Sequence, residues 1–223
     1  VLSHFFFLSR FAALKQIIMK EAIRQVIEHE AKAIQAIPVE DGILDAIELI
    51  HRQVHKKNGK LVTSGMGKAG QIAANIATTF SSTGTPAVFL QPSESQHGDL
   101  GVLQQNDVLL VISNSGKTRE IIELIELAEN LYAGIPLIVI SSNPEGVLAK
   151  TADAFIYTGN PKEVCPLGLS PTTSTTVMTV IGDALVVSMM NKIGFSNEDY
   201  AKRHHGGYLG SKSRLQAKSE KKD

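Results

Sequence analysis

A single cysteine, Cys165, occurs in 223 residues, so the chain cannot close a disulfide on itself and suits a reducing compartment. Net charge is also missing: 22 Lys and Arg balance 22 Asp and Glu. That balance argues against nucleic acid or an anionic membrane as the main partner. No uninterrupted apolar run approaches the length needed to cross a bilayer. Val1 to Leu14 lacks the basic start, long apolar centre and small-residue cleavage site of a signal peptide, and the chain does not begin with Met. Residues 1–18 therefore read as a non-native or disordered leader, with Met19 as the natural start. The expected location is the cytoplasm.

What is present is a folded globule, 43% hydrophobic and long enough for one α/β domain. Val108-Leu109-Leu110-Val111-Ile112 is five apolar residues in a row, three of them β-branched, as a strand buried on both faces requires. Ser113-Asn114-Ser115-Gly116-Lys117-Thr118 then forms a polar turn. Behind it Ile121, Ile122, Leu124, Ile125, Ala128 and Leu131 keep helical spacing. Hydroxyls and free N–H groups at a helix N-terminus suit a phosphate, although Ser and Thr also stand there simply as caps. A Walker A loop is ruled out, because the glycine it needs five residues before Gly116 is Val111.

Other strands are expected at Leu61–Ser64, Ala87–Leu90, Leu137–Ile140 and Ala154–Tyr157. A pair of leading helices is expected before them, and a long, mostly buried helix after Thr172-Thr173-Ser174-Thr175-Thr176, ending at Gly194. Ser196 and Asp199 read as a capping pair, and Ser211–Asp223 as a basic disordered tail. This alternation predicts a three-layer, doubly wound α/β sandwich around a five-stranded parallel sheet, preceded by a helical hairpin. Ligands in such sheets bind at the carboxyl ends of the strands. Three polar loops fall there: Ser64–Gly70, Gln91–Gly101 and Ser113–Thr118.

Gly65-x-Gly67-x-x-Gly70 after a strand also matches a dinucleotide fingerprint, which makes an NAD-linked oxidoreductase the rival class. The acid that fingerprint needs at the end of the second strand is absent, since that strand runs Phe89-Leu90-Gln91-Pro92.

Taken in order, six segments resemble the sugar isomerase (SIS) domain, and within it the arabinose-5-phosphate isomerases. They are Gly65–Gly70, Thr79–Pro86, His97-Gly98-Asp99-Leu100-Gly101, Ile112–Gly116, Cys165-Pro166-Leu167-Gly168-Leu169-Ser170-Pro171-Thr172, and Gly182-Asp183-Ala184-Leu185. The matching region runs from about Gly59 to Gly210, which makes 19–210 a single SIS domain. That family interconverts D-ribulose 5-phosphate and D-arabinose 5-phosphate through an enediol(ate), the first step toward the sugar acid Kdo of lipopolysaccharides and some capsules.

The resemblance implies a catalytic set of Lys68, His97, Glu120 and His204. Glu120 would abstract the carbon-bound proton, His97 and His204 would move protons between oxygens, with Asp99 beside His97 to orient it, and Lys68 would neutralise the enediolate. The phosphate would be held by Ser64, Gly65, Gly67, Ser113, Asn114, Ser115 and Thr118, with Ser170, Thr172 and Thr173 as further candidates. No cofactor and no metal are required, and zinc is expected to inhibit through His97 and His204. His204 is expected to enter a neighbouring subunit's site in a homo-oligomer, expected as a tetramer. A Kdo nucleotide is a candidate feedback ligand.

The sequence departs from the family in three ways. An SIS-only form without the CBS pair many members carry is expected, Lys117 replaces a usual glutamate, and His205 replaces a common proline. The alternatives are a non-catalytic sugar-phosphate-binding regulatory SIS protein and an isomerase of another phosphosugar. Asp183 reads as a structural acid near the site, and Cys165 as buried and inert.

Overall fold

The computed structural model describes residues 2–220, with side-chain surroundings for residues 15–219. Helix α1 (Leu2–Gln35) comes first, then α2 (Asp41–Ile50), which loosens into a π-helical turn over His51–Lys56. The two pack chiefly on later elements, α1 on α7 and α2 on β5, rather than on each other. Five strands follow, β1 (Leu61–Gly65), β2 (Ala87–Phe89), β3 (Val108–Ile112), β4 (Leu137–Ser141) and β5 (Ala154–Tyr157). They are joined by α3 (Gly67–Ser82), the short α4 (Pro92–Ser95), α5 (Arg119–Leu131) and α6 (Val147–Thr151). The chain closes with α7 (Thr173–Ile193), α8 (Asn197–Arg203) and α9 (Gly207–Glu220).

All strands are parallel, in the order β2-β1-β3-β4-β5. The chain therefore winds outward from β1 to β2, crosses back over β1, and winds the other way from β3 to β5. Right-handed crossovers then put α3 on one face and α5 on the other. The buried side chains divide accordingly. Phe80, Leu110, Ile112, Ile138, Ile140, Met178 and Leu185 fill the α2–α3–α7 side, and Leu109, Val111, Ile121, Leu124, Val139 and Leu148 the α5–α6 side. Every residue of β1, β3 and β4 is buried, which explains why β3 and the first four residues of β4 read as unbroken apolar runs rather than alternating ones.

Several expectations change. Helix α1 runs straight through Met19, so residue 18 is no structural boundary among the described residues. Gly207–Glu220 is helical where a disordered tail was expected from Ser211; residues 221–223 lie outside the described range. Helix α7 is, by length and composition, apolar enough to cross a membrane, although no uninterrupted apolar run suggests it. Its apolar content serves the core instead, with Val177, Ile181, Leu185 and Met189 buried against the sheet and α3. At Gly182 an added Cβ would come within 2.5 Å of Ile76 Cγ1, so glycine lets α3 and α7 approach. Asp183 is exposed on the far side of α7 and plays no core role. The expected capping box is present: Ser196 Oγ accepts from the Asp199 amide, and the Asp199 carboxylate accepts from the Ser196 amide.

Candidate functional site

β1 and β3 are neighbours whose following helices leave to opposite faces, so their carboxyl ends flank the point where the winding reverses. An open α/β sheet has its natural ligand crevice there. The β1–α3 turn is a backbone device. Gly67 has φ +58°, and a Cβ at Gly70 would lie 2.5 Å from the Gly65 carbonyl oxygen. The glycine fingerprint is thus explained by turn closure alone, with Lys68 projecting from the first turn of α3.

Across the crevice, the β3–α5 turn is braced from β4. The Asn114 carbonyl accepts from the Ser142 hydroxyl at 2.6 Å, and Asn143 Nδ2 donates to the Ser115 carbonyl at 2.9 Å. Ser113 and Thr118 share a hydrogen bond between their hydroxyls at 2.8 Å, and no side chain caps α5. The amino end of α5 therefore keeps its dipole and N–H groups for a ligand.

A cavity of about 260 Å³ lies between these turns and the start of α7. Its walls bring together Lys68, Ser113, Asn114, Ser115 and Thr118 from the expected set. They also include residues that no expectation singled out, Met66, Pro171, Ser174, Thr175 and Met178. Ser174 and Thr175 lay within the noted Thr172–Thr176 run, whose length was the available signal. Lys68 has no ion-pair partner among the described residues.

The other expected residues fall elsewhere. Ser64 is fully buried and donates its hydroxyl to the Leu90 carbonyl at 2.7 Å, so that hydroxyl belongs to the sheet. Thr172 donates both its amide and its hydroxyl to Glu163 Oε2, at 2.7 and 2.9 Å. Thr173 donates its hydroxyl to Glu30 Oε1 at 3.0 Å and accepts from the Val164 amide. Both threonines are therefore committed to carboxylates. Glu163, which the sequence reading missed, also accepts from the Ser174 amide and so fills the amino end of α7. Burial pushes its carboxyl up, but hydrogen bonds from Ser174 and Thr172 outweigh this and hold it below the usual range.

Ser170 is exposed, on the loop whose backbone N–H groups at Ser170, Leu169 and Leu167 favour the Cys165 thiolate. These N–H groups draw the Cys165 thiol down to about 7. Cys165 is half-buried, not fully buried.

Glu120 sits half-buried in the first turn of α5, two residues beyond Thr118, outside the cavity wall. His97 is exposed in the turn after α4, its amide donating to the Glu94 carbonyl at 2.9 Å. No hydrogen bond or ion pair links it to Asp99 among the described residues, so Asp99 does not orient it. His204 stacks on Tyr200 with ring centroids 3.7 Å apart, and its Nδ1 donates to the Tyr200 carbonyl. Tyr200 in turn borders Met190 in the last turn of α7. Ser174 and Met190 are sixteen residues apart on that helix, roughly 24 Å along its axis. One chain therefore does not bring His204 to the cavity. No group of three or more potential metal ligands occurs among the described residues, and His97 and His204 lie in different regions.

The family model for the SIS domain matches residues 53–188, the whole stretch from the π-helical turn before β1 into the last third of α7. The chain belongs to the SIS domain family. Among curated relatives, the Yersinia pestis protein named arabinose 5-phosphate isomerase KdsD is 45% identical over 86% of this chain and 58% of its own length. The Escherichia coli K12 protein of the same name is 49% identical over 69% of this chain and 46% of its own length. The chain thus spans about half the length of these relatives. Among solved structures, a Bacteroides fragilis protein provisionally named as a phosphosugar isomerase involved in capsule formation is 63% identical. It superposes with a TM-score of 0.84 over 85% of this chain and 99% of that one. An E. coli CFT073 protein in complex with arabinose 5-phosphate is 32% identical, with a TM-score of 0.76 over 84% and 98% of the two chains.

Proposed function

We propose that this SIS protein is an aldose–ketose isomerase interconverting D-arabinose 5-phosphate and D-ribulose 5-phosphate. The observation that carries the reading is the convergence of Lys68 with Ser113, Ser115 and Thr118 around one cavity at the β1/β3 crevice. It is supported by the names of the relatives and by the arabinose 5-phosphate bound to the E. coli CFT073 protein.

The phosphate sits at the uncapped amino end of α5, held by hydroxyls and N–H groups. The sugar carbonyl then lies toward Lys68. Glu120 takes the proton from C2 of the aldose, the carbonyl oxygen at C1 gains a proton, and an enediol(ate) forms. Return of the proton to C1, with loss of the O2 proton, gives the ketose. The Lys68 ammonium opposes the negative charge that develops on oxygen, where preorganised charge contributes most. His97 and His204 carry the oxygen protons. Because His204 stacks on Tyr200 near the last turn of α7, whereas the cavity lies at that helix's first turn, it serves a neighbouring copy in a homo-oligomer, a tetramer in this reading. The product feeds Kdo synthesis in the cytoplasm, for lipopolysaccharide or capsule, and a Kdo nucleotide competes at the same cavity.

The test is an isomerisation assay with ribulose 5-phosphate. Glu120→Gln is expected to lose at least about 100-fold in turnover while binding substrate, as loss of a general base does. An unchanged rate moves the base elsewhere. Mixing and reassembling inactive Glu120→Gln and His204→Ala chains is expected to restore activity, since some sites then receive both intact groups. No recovery would place His204 outside the neighbour's site.

A further inference from the structure

A second cavity, of about 310 Å³, opens at the carboxyl end of β5, the edge strand, between that strand's end and the last turns of α1. It is two strand spacings from β3, roughly 10 Å, and shares no lining residue with the first cavity. Lys32 of α1 and Lys162 of the following loop flank it, and neither ammonium has an ion-pair partner among the described residues. His29 pins the loop to α1 through a 2.8 Å hydrogen bond between its Nε2 and the Lys162 carbonyl. Thr158 forms part of the wall. It is only 2% exposed, and its hydroxyl has no hydrogen-bond partner among the described residues. A buried hydroxyl without a partner costs about 1–3 kcal/mol and marks a place where something is expected to bond it.

The carboxylates next in sequence have hydrogen-bond partners elsewhere, Glu30 through one of its two oxygens. Glu30 turns to Thr173 and Glu163 to the amino end of α7. The carboxyl end of α1 does oppose an anion, but it amounts to about half a charge against two full ammonium charges.

We infer that this cavity is a second anion site, binding the phosphoryl group of a small metabolite between Lys32 and Lys162 with the Thr158 hydroxyl as a further donor. Lys162 adjoins Glu163, which holds the start of α7 and hence Ser174 on the wall of the first cavity. An occupant at the second site is therefore joined to the first by one short loop.

Hydrogen exchange of the full chain, with inorganic phosphate as the probe, tests this. Phosphate is expected to slow exchange across residues 157–163, with protection at 113–118 reporting the first cavity separately. In the Lys32→Gln/Lys162→Gln variant, half-maximal protection at 157–163 should need at least about tenfold more phosphate, while 113–118 responds as before. Thr158→Val should weaken protection at 157–163 and leave the melting temperature unchanged or raised, because it removes an unpaired hydroxyl without changing shape. Absence of protection at 157–163, equal protection in the lysine variant, or a lowered melting temperature in Thr158→Val overturns the inference. None of these outcomes depends on which sugar the first cavity takes.

Discussion

The first cavity has two rims made of the same residue types in the same setting, a Ser/Thr-rich loop running into a helix. On the α5 side, the hydroxyls of Ser113 and Thr118 bond only to each other among the described residues, and the helix end has no side-chain cap there. On the α7 side, Glu163 accepts two amides and a hydroxyl, and Glu30 takes the Thr173 hydroxyl. A carboxylate already occupies the place an anionic ligand would take. Serines and threonines at a helix start therefore indicate a binding site only where no acid from elsewhere in the chain has reached them first.

The strongest way to break this contrast is to close the open rim. Thr118→Asp puts a carboxylate at the start of α5, where Asp is a good cap, so stability should hold or rise slightly. Affinity for arabinose 5-phosphate should fall at least about 100-fold by calorimetry, because two anions would share one helix end. Unchanged affinity would remove the α5 terminus as the phosphate seat.

Opening the closed rim should have a smaller effect. Glu163→Ala frees two amides of α7 and should lower unfolding stability by about 1–2 kcal/mol in urea, as loss of a helix cap does. A loss below about 0.3 kcal/mol would show that the rim does not depend on its acid. Glu163→Gln keeps an oxygen where Oε2 accepts all three bonds and removes only the charge. The Glu163 carboxyl is held below its ordinary value of 4.5, so its contribution is present above that pH and is lost as pH falls through the lower folded value. The stability gap between wild type and Glu163→Gln should therefore narrow below about pH 4.5; a constant gap from pH 7 to 3 would contradict this.

The smallest effect concerns Cys165, on the loop leading to the closed rim. Its alkylation by iodoacetamide should rise with pH around a midpoint near 7, since backbone N–H groups favour the thiolate. A midpoint near 9 would mean those N–H groups do not reach the sulfur in solution.

Much of the fold was legible because local signals agreed. β3 and β5 fall where the apolar runs placed them, and β1, β2 and β4 differ by one residue at an end. The capping pair Ser196/Asp199 and the stop at Gly194 were readable because both are short-range chemistry. In the site, Lys68 and the Ser113–Thr118 turn were recoverable, since both sit directly after strands whose carboxyl ends meet. Ser64, Thr172 and Thr173 were not, because the atoms that claim their hydroxyls, on Leu90, Glu163 and Glu30, lie 26, 9 and 143 residues away. Asp183 was misplaced because periodicity marks a helix's buried stripe more reliably than the side a single polar residue takes.

The order of residues alone determined the parallel sheet, the helix that follows each major strand, and membership of the SIS family. The sheet and its helices depend on burial periodicity and turn chemistry, which act over a few residues, and the family on a resemblance carried by six ordered segments. Only the tertiary structure decided which hydroxyls stay open to a ligand, that His204 stacks on Tyr200 near the last turn of α7 while the first cavity lies at its start, and that two lysines flank the pocket beside Thr158. A hydrogen-bonding group accepts whichever partner folding brings to it, and distance along the chain does not reveal that choice.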